Sequence, residues 1–193
     1  MLIAALLLGV LLGSIPFGLL LTRAAGLGDI RKTGSGSIGA TNVLRTGRKD
    51  IAAATLLLDA AKGAVAVLLM AAYAGTDAAL VAGVGAILGH CFSPWIGFKG
   101  GKGIATGAGV LLAWSWPAGL LCLVAWLAAA YLSKRSSVGA LIALATAPLL
   151  LWAFADGRTA LAGLLVSAIC IGRHHANIAR LLAGTEPRIG RKT

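Results

Sequence analysis

The chain has 193 residues, of which 59% are hydrophobic and 12% charged, with 27 glycines and a formal net charge of +11. A soluble domain carries about 25% charged residues, so an ordinary water-soluble globule is excluded, and the apolar content excludes a disordered chain. A nucleic-acid binder this basic would spread its charge over a soluble face; an integral membrane protein remains.

At ~20 residues per crossing the length allows roughly seven to nine helices with almost nothing outside them. A single polytopic membrane domain over residues 1–193 is therefore expected. Cys91, Cys122 and Cys170 are an odd set without ligand spacing, which points to packing rather than to a disulfide or metal site. The first apolar run has no preceding basic region, and Arg23 follows it, so a retained first transmembrane helix fits better than a cleaved signal.

In chain order, apolar segments cover residues 2–22, 51–74, 78–96, 104–132, 138–154 and 159–172. The fourth would be about 43 Å long as one helix against a hydrocarbon core of ~30 Å. Trp114-Ser115-Trp116-Pro117 divides it, with two interfacial aromatics and a proline that cannot continue a helix without losing a hydrogen bond. The division gives seven transmembrane helices, the N-terminus outside and the C-terminus cytoplasmic. Arg23, Arg31, Lys32, Arg45, Arg48, Lys49, Lys99, Lys102, Lys134, Arg135, Arg173, Arg180, Arg188, Arg191 and Lys192 then share the cytoplasmic side. Outside lie only the turn at residues 75–77, the aromatic turn and residues 156–158, as the positive-inside rule requires.

Three polar segments fall on that inner side, near residues 29–49, 97–103 and 173–186. In the first, Gly34, Gly36 and Gly39 permit positive φ and close approach of backbone to a ligand, while Ser35, Ser37, Thr41 and Asn42 supply hydrogen bonds. Arg45 lies four residues beyond Thr41, on the same side if both are helical. Such a run attracts an anion; the alternative is a Gly/Ser-rich loop with a solvated basic end. In the second, Lys99 and Lys102 flank Gly100-Gly101, and Gly103 precedes a helix expected near Ile104. The Walker A pattern is absent, yet a lysine and glycine N–H groups near a helix start form a phosphate cradle. A flexible basic turn is the competing reading, and the company of the first segment favours a second anion site.

In the third, His174, Asn177 and Arg180 are spaced by three, which stacks them if the last helix continues, with His175 pointing elsewhere. Glu186, among so many cations, is expected in a structural ion pair. Asp59 and Lys62, three apart in an apolar helix, read as a structural pair. Gly9 and Gly13 read as close helix packing. Catalytic triads, metal-ligand clusters and nucleotide fingerprints are all missing from the sequence. What remains is suited to holding two phosphates side by side.

The runs Gly34-Ser-Gly-Ser-Ile-Gly-Ala-Thr-Asn42 with Arg45, Gly97-Phe-Lys-Gly-Gly-Lys-Gly103 and Arg173-His-His-Ala-Asn-Ile-Ala-Arg-Leu-Leu-Ala-Gly184 carry a resemblance. In this order they resemble the three cytoplasmic motifs of bacterial acyl-phosphate:glycerol-3-phosphate acyltransferases of the PlsY type, and the likeness runs from Gly13 to Glu186. The resemblance implies a seven-helix inner-membrane enzyme that moves a fatty acyl group from acyl phosphate to the 1-hydroxyl of sn-glycerol 3-phosphate, giving lysophosphatidic acid and phosphate. It implies no cofactor, no metal and no acyl-CoA or acyl carrier protein, and a monomer is expected. By similarity Ser35, Arg45, Lys102, His174 and Asn177 are catalytic, and Gly34, Gly36, Ser37, Thr41, Asn42, Gly100, Gly101, Gly103 and Ser137 bind substrate phosphate. The third motif departs from its commonest form at His175-Ala176, where larger polar residues are usual.

Physically, an acyl phosphate already carries its leaving group, so Arg45 and Lys102 need only stabilise charge growing on the departing phosphate. A phosphate oxygen of the donor is expected to take the hydroxyl proton, His174 being occupied as a hydrogen-bond donor. The acyl tail is expected in a lipid-open groove lined by residues 105–112. The competing classes are an organic-phosphate or anion transporter and a scaffold for anionic lipid.

Overall fold

The breaks in the apolar pattern decide the architecture. The computed structural model describes residues 1–189 and is all-helical among them; Arg191 and Lys192, counted above with the inner cations, lie outside the described residues. Helix α1, Leu2–Gly13, and α2, Phe17–Ala24, divide the first apolar run, which the sequence suggests is one segment. Pro16 lacks the N–H that would carry the helix on, and the chain leaves helical geometry there at φ −89°, ψ 69°. After α3, Ala40–Val43, the long α4, Lys49–Cys91, is interrupted at Gly75, whose φ of 79° and ψ of −174° are not helical. The interruption falls at the turn expected at residues 75–77 and leaves two apolar halves.

Helices α5, Ile104–Trp114, and α6, Trp116–Ser133, are separated by the extended Ser115 with Pro117 in the first turn of α6, as the aromatic turn requires. Then follow α7, Ser136–Phe154, α8, Gly157–Arg173, and the short α9, His175–Leu182. Four stretches among the described residues are long and apolar enough to cross a membrane: Leu2–Ala24, Lys49–Ile96, Trp116–Ser133 and Ser136–Phe154. Lys49–Ile96, at 48 residues, has the length of two crossings.

The chain packs as two units, Met1–Val110 and Leu111–Thr193. In the first, α1 runs parallel to the second half of α4. A Cβ at Gly9 would overlap the Ala82 carbonyl, one at Gly13 the Ala86 carbonyl, and one at Gly89 the Val10 carbonyl. Small residues let the backbones approach where lipid supplies no hydrophobic drive for association. In the second unit α6, α7 and α8 run alternately up and down. Cys122 packs with Ala147 and Leu151, and Ser167 Oγ donates to the Leu144 carbonyl at 2.8 Å. All three cysteines are buried thiols outside any disulfide, the packing role expected of them.

Candidate functional site

In the first unit the Gly/Ser loop is organised from inside by Asn42, which is 2% exposed. Its Nδ2 lies 3.1, 2.9 and 2.8 Å from the carbonyl oxygens of Ile30, Thr33 and Ser37, and its Oδ1 accepts from the Ser35 N–H at 3.0 Å. One amide thus folds residues 30–42 around itself. Three carbonyls are drawn inward, away from a rim where Gly34, Ser35, Gly36 and Arg45 are exposed. Gly34, at φ +54°, sits so close to the Arg45 side chain and Asn42 Oδ1 that a Cβ would meet both. Gly36 also takes a positive φ, of 70°. Ser37 Oγ accepts from the Gly39 N–H at 3.3 Å.

Thr41 and Arg45 do not lie on one continuous α-helix. Helix α3 ends at Val43, and Leu44–Thr46 is a 3-10 turn closed by Gly47 at φ +85°. Asp29 caps the loop's entrance, accepting from the Arg31 N–H and pairing with Arg31 at 2.6 Å and Arg23 at 3.3 Å. The Arg31 guanidinium holds the Asp29 carboxyl well below the usual carboxylate range, and Asp29 in turn raises Arg31.

The second glycine segment belongs to the same unit. Pro94–Ile96 forms a 3-10 turn whose Ile96 joins Leu19, Ile30, Ile38, Val43 and Ala52 in one apolar cluster, so both loops rest on a shared floor. Ser93 Oγ donates to the Ser14 carbonyl and Trp95 Nε1 to Ser14 Oγ, each at 2.7 Å. Gly100 N–H donates to the Cys91 carbonyl at 3.2 Å and Gly101 N–H to the His90 carbonyl at 3.0 Å, which lays the glycine pair on the last turn of α4. Helix carbonyls at a C-terminus lack intrahelical partners; the loop supplies them. Gly103, at φ +83°, turns the chain into α5, and Lys102 is half-buried beside it.

In the second unit a carboxylate is the hub. Glu186 Oε1 accepts from Asn177 Nδ2 at 2.6 Å, and Oε2 accepts from Arg180 Nε at 2.7 Å. Arg135 Nε donates to the Glu186 carbonyl, and the Ile189 N–H to the Lys134 carbonyl. The segment after α9 is thereby strapped to the α6–α7 turn. Burial pushes the Glu186 carboxyl upward, but hydrogen bonding from Asn177, Ser137 and Arg180 outweighs it and holds the group below its ordinary value. The Ser137 Oγ is buried without a full hydrogen bond of its own, as is Asn177 Oδ1.

His174 breaks the helical line expected through it: at φ −95°, ψ 6° it ends α8 and precedes α9. Only Asn177 and Arg180 share a face, directed at Glu186. The His174 ring turns back to the Cys170 carbonyl, 2.8 Å from Nδ1. A carbonyl can only accept, so Nδ1 carries the proton and a neutral ring keeps its lone pair on Nε2. His175 is exposed, as expected. The sequence alone does not reveal Ser14, Trp95 or His90; a polar residue beside Pro16 inside an apolar run was the one available signal for Ser14.

These features define a polytopic membrane protein with an exposed arginine-and-glycine rim and a second glycine loop on one unit and a buried polar cluster on the other. The sequence profile of the glycerol-3-phosphate acyltransferase family matches residues 3–184, and the chain belongs to that family. It is 57% identical over 191 residues to a glycerol-3-phosphate acyltransferase of Mesorhizobium japonicum, covering 99% of this chain and 97% of that one. It is also 57% identical to the enzyme of Paramagnetospirillum magneticum, covering 99% and 95%. Among solved structures it is similar to PlsY, an integral membrane glycerol 3-phosphate acyltransferase, in its glycerol 3-phosphate form, with a TM-score of 0.92, 34% identity, and 97% and 95% coverage. The lysophosphatidic acid form of PlsY gives 0.90 and 33% over the same shares. The chain is therefore an integral membrane acyltransferase of phospholipid biosynthesis, and the anion-transporter alternative finds no support.

Proposed function

We propose that the chain transfers a fatty acyl group from acyl phosphate to the 1-hydroxyl of sn-glycerol 3-phosphate, releasing inorganic phosphate and 1-acyl-sn-glycerol 3-phosphate. The observation that carries this reading is the Asn42-centred loop. It withdraws three carbonyls from the rim and leaves the Arg45 cation over Gly34, an arrangement that favours a phosphate dianion. The Gly100-Gly101-Lys102 segment is a second cationic loop on the same apolar floor.

The hydroxyl oxygen of glycerol 3-phosphate bonds to the acyl carbon, and the carbon–oxygen bond to phosphate breaks. Charge develops on the departing phosphate, where Arg45 and Lys102 stabilise it; one well-placed donor is worth about 3 kcal/mol in such a role. Ser35 and Thr41, with Gly34 and Gly103, hold phosphate oxygens, whereas Gly36, Gly100 and Gly101, whose N–H groups donate to the Thr33, Cys91 and His90 carbonyls, shape the two loops. Asn42 acts from beneath, by shaping the loop. Ser137, His174 and Asn177 are assigned to the site through the third motif, and a donor phosphate oxygen accepts the hydroxyl proton. Neither metal nor acyl carrier protein nor acyl-CoA enters the reaction, and the monomer is the working unit.

The seven apolar segments, α1 with α2, the two halves of α4, and α5 to α8, cross a bacterial inner membrane in one domain. The N-terminus is outside, and the basic segments near residues 29–49, 97–103 and 173–186 are cytoplasmic. The acyl tail enters from the bilayer along residues 105–112.

Purified protein in detergent, given labelled glycerol 3-phosphate and palmitoyl phosphate, yields lysophosphatidic acid; turnover with palmitoyl-CoA alone would overturn the donor assignment. Cysteine labelling at Lys99 and His175 in intact vesicles reports both positions on the same side, and labelling from opposite sides would break the topology. His174→Gln retains measurable turnover with an altered pH profile; a rate at background at every pH would make histidine the base.

A further inference from the structure

Three buried polar side chains in α4 take no part in the chemistry above. Lys62 Nζ lies 2.6 Å from Asp59 Oδ1 and donates to the Ile15 carbonyl at 2.7 Å, at the break between α1 and α2. The ammonium is also 5.6 Å from the centre of the Phe17 ring. Asp59 Oδ1 is 3.7 Å from Nδ1 of His90, which lies in the other half of α4. Asp59, Lys62 and His90 are 1%, 5% and 3% exposed, so the trio sits inside the first unit.

The opposite edge of the imidazole faces the second glycine loop. A Cβ on Gly101 would collide with His90 Nε2, and one on Gly100 with the His90 and Cys91 carbonyls. His90 therefore meets the loop twice: its carbonyl accepts the Gly101 N–H, and its ring fills the space beneath the same residue. An apolar side chain could fill that space more cheaply, since buried charges are retained in apolar helices at a cost. What the polar trio adds is orientation. Lys62 is pinned to a backbone carbonyl and its ammonium lies against Asp59; at 3.7 Å the carboxylate is beyond hydrogen-bond reach of Nδ1 and orients the ring through its charge alone, which favours an N–H edge towards Asp59 and Nε2 towards Gly101.

We infer that His90, held by Asp59 and Lys62, is a positioning residue that fixes the height and direction of the Gly100-Gly101 step and, through it, of Lys102. The sequence suggests only a structural pair at Asp59 and Lys62; the structure joins that pair to the loop. The inference rests on the reading that Lys102 in this loop binds the phosphate that departs from the acyl donor.

The test is calorimetric titration of the purified full chain in detergent with inorganic phosphate, the released group, for wild type, Lys102→Ala, His90→Ala, Gly101→Ala and the Gly101→Ala/His90→Ala double variant. A shift of about 1 Å in a positioning group costs on the order of tenfold or more, and His90→Ala raises Kd by about that factor while the protein stays folded. Gly101→Ala raises it further, because the new methyl meets the ring. The double variant binds more tightly than Gly101→Ala alone, since removing the ring makes room for the methyl; recovery of this kind is not produced by two independent structural lesions. Should Gly101→Ala fail to accumulate, recovery of folded double variant reports the same relief, and His90→Ala decides by itself if neither accumulates. Wild-type affinity in His90→Ala, or additive losses in the cycle, overturns the positioning role. Wild-type affinity in Lys102→Ala instead overturns the phosphate reading, and the positioning role with it.

Discussion

The two polar regions are built from opposite materials. In the first unit, loop shape is a matter of backbone: Asn42 binds three carbonyls and one N–H, the glycine pair hangs from the last carbonyls of α4, and Gly34, Gly36 and Gly103 take positive φ. In the second, Asn177 and Arg180 are held by the side chain of one glutamate, whose strap to the α6–α7 turn runs through Arg135 and Lys134. A backbone-built rim does not tolerate an added Cβ, but it survives loss of side chains that are not its internal props. A carboxylate hub is sensitive to truncation and to protonation, and indifferent to small steric changes around it. The groups proposed to bind phosphate in the first region should therefore be removable without loss of fold, whereas in the second, fold and activity are expected to fall together.

The largest expected effects follow from the first half of that contrast. Lys102→Ala and Arg45→Ala each lower kcat/KM for acyl transfer by about a hundredfold to a thousandfold, the loss typical of one electrostatic donor. Thermal stability of Arg45→Ala in detergent stays within about 2 °C, since an exposed charge contributes little to it, and the half-buried Lys102 costs somewhat more. A large fall in melting temperature in either variant would show that the cations hold the loops together rather than the substrate. Gly34→Ala, in contrast, removes no charge and still weakens binding of inorganic phosphate, because its methyl displaces the Arg45 side chain and Asn42 Oδ1.

Glu186→Gln measures the second half. It removes the charge that pairs with Arg180 and leaves one oxygen for Asn177, costing about 2 kcal/mol, the scale of a charge-assisted hydrogen bond. Melting temperature and activity decline together, with the melting point falling by roughly 5 °C. Protonation should reproduce this. Because the Glu186 carboxyl titrates lower in the folded chain than its ordinary 4.5, the stabilisation is complete above about pH 4.5 and disappears as pH falls through the lower folded value. A melting temperature that declines below pH 4.5 in wild type but is flatter in Glu186→Gln supports the hub; parallel curves would remove it.

Much of the fold is legible in the residue order because breaks in apolar runs have few chemical forms. Trp114-Ser115-Trp116-Pro117 and the glycine at position 75 end helices where expected. The break at Pro16 is not so plain, since apolar residues continue on both sides and α1 and α2 together still have the length of one crossing. For the polar segments, residue types and spacing are readable, but the direction of each side chain is not. Asn42 can accept or donate outward as well as inward, and only the folded loop, with Ile30 and Thr33 brought against residue 42, decides it. His174 likewise has the spacing of a continuous helix with Asn177 and Arg180, but α8 ends beneath it. His90 carries no local mark at all; its relation to Gly101 arises when the loop folds back over α4.

The smallest effect distinguishes two adjacent histidines. His174 is 2% exposed and hydrogen-bonds the Cys170 carbonyl, whereas His175 is exposed, with Nδ1 3.0 Å from the Gly172 carbonyl. At an exposed helix start such a contact competes with water and contributes about 1 kcal/mol or less. His175→Ala is therefore expected to keep activity within about twofold and melting temperature within about 2 °C of wild type, as for most surface substitutions. His174→Ala removes a buried hydrogen bond and empties a packed position, so its loss is larger in both measurements. If kcat/KM in His175→Ala fell as far as in His174→Ala, the two rings would have to act on one substrate. The turn between α8 and α9 would then have to rearrange during the reaction, because the present backbone sends one side chain inward and the other out.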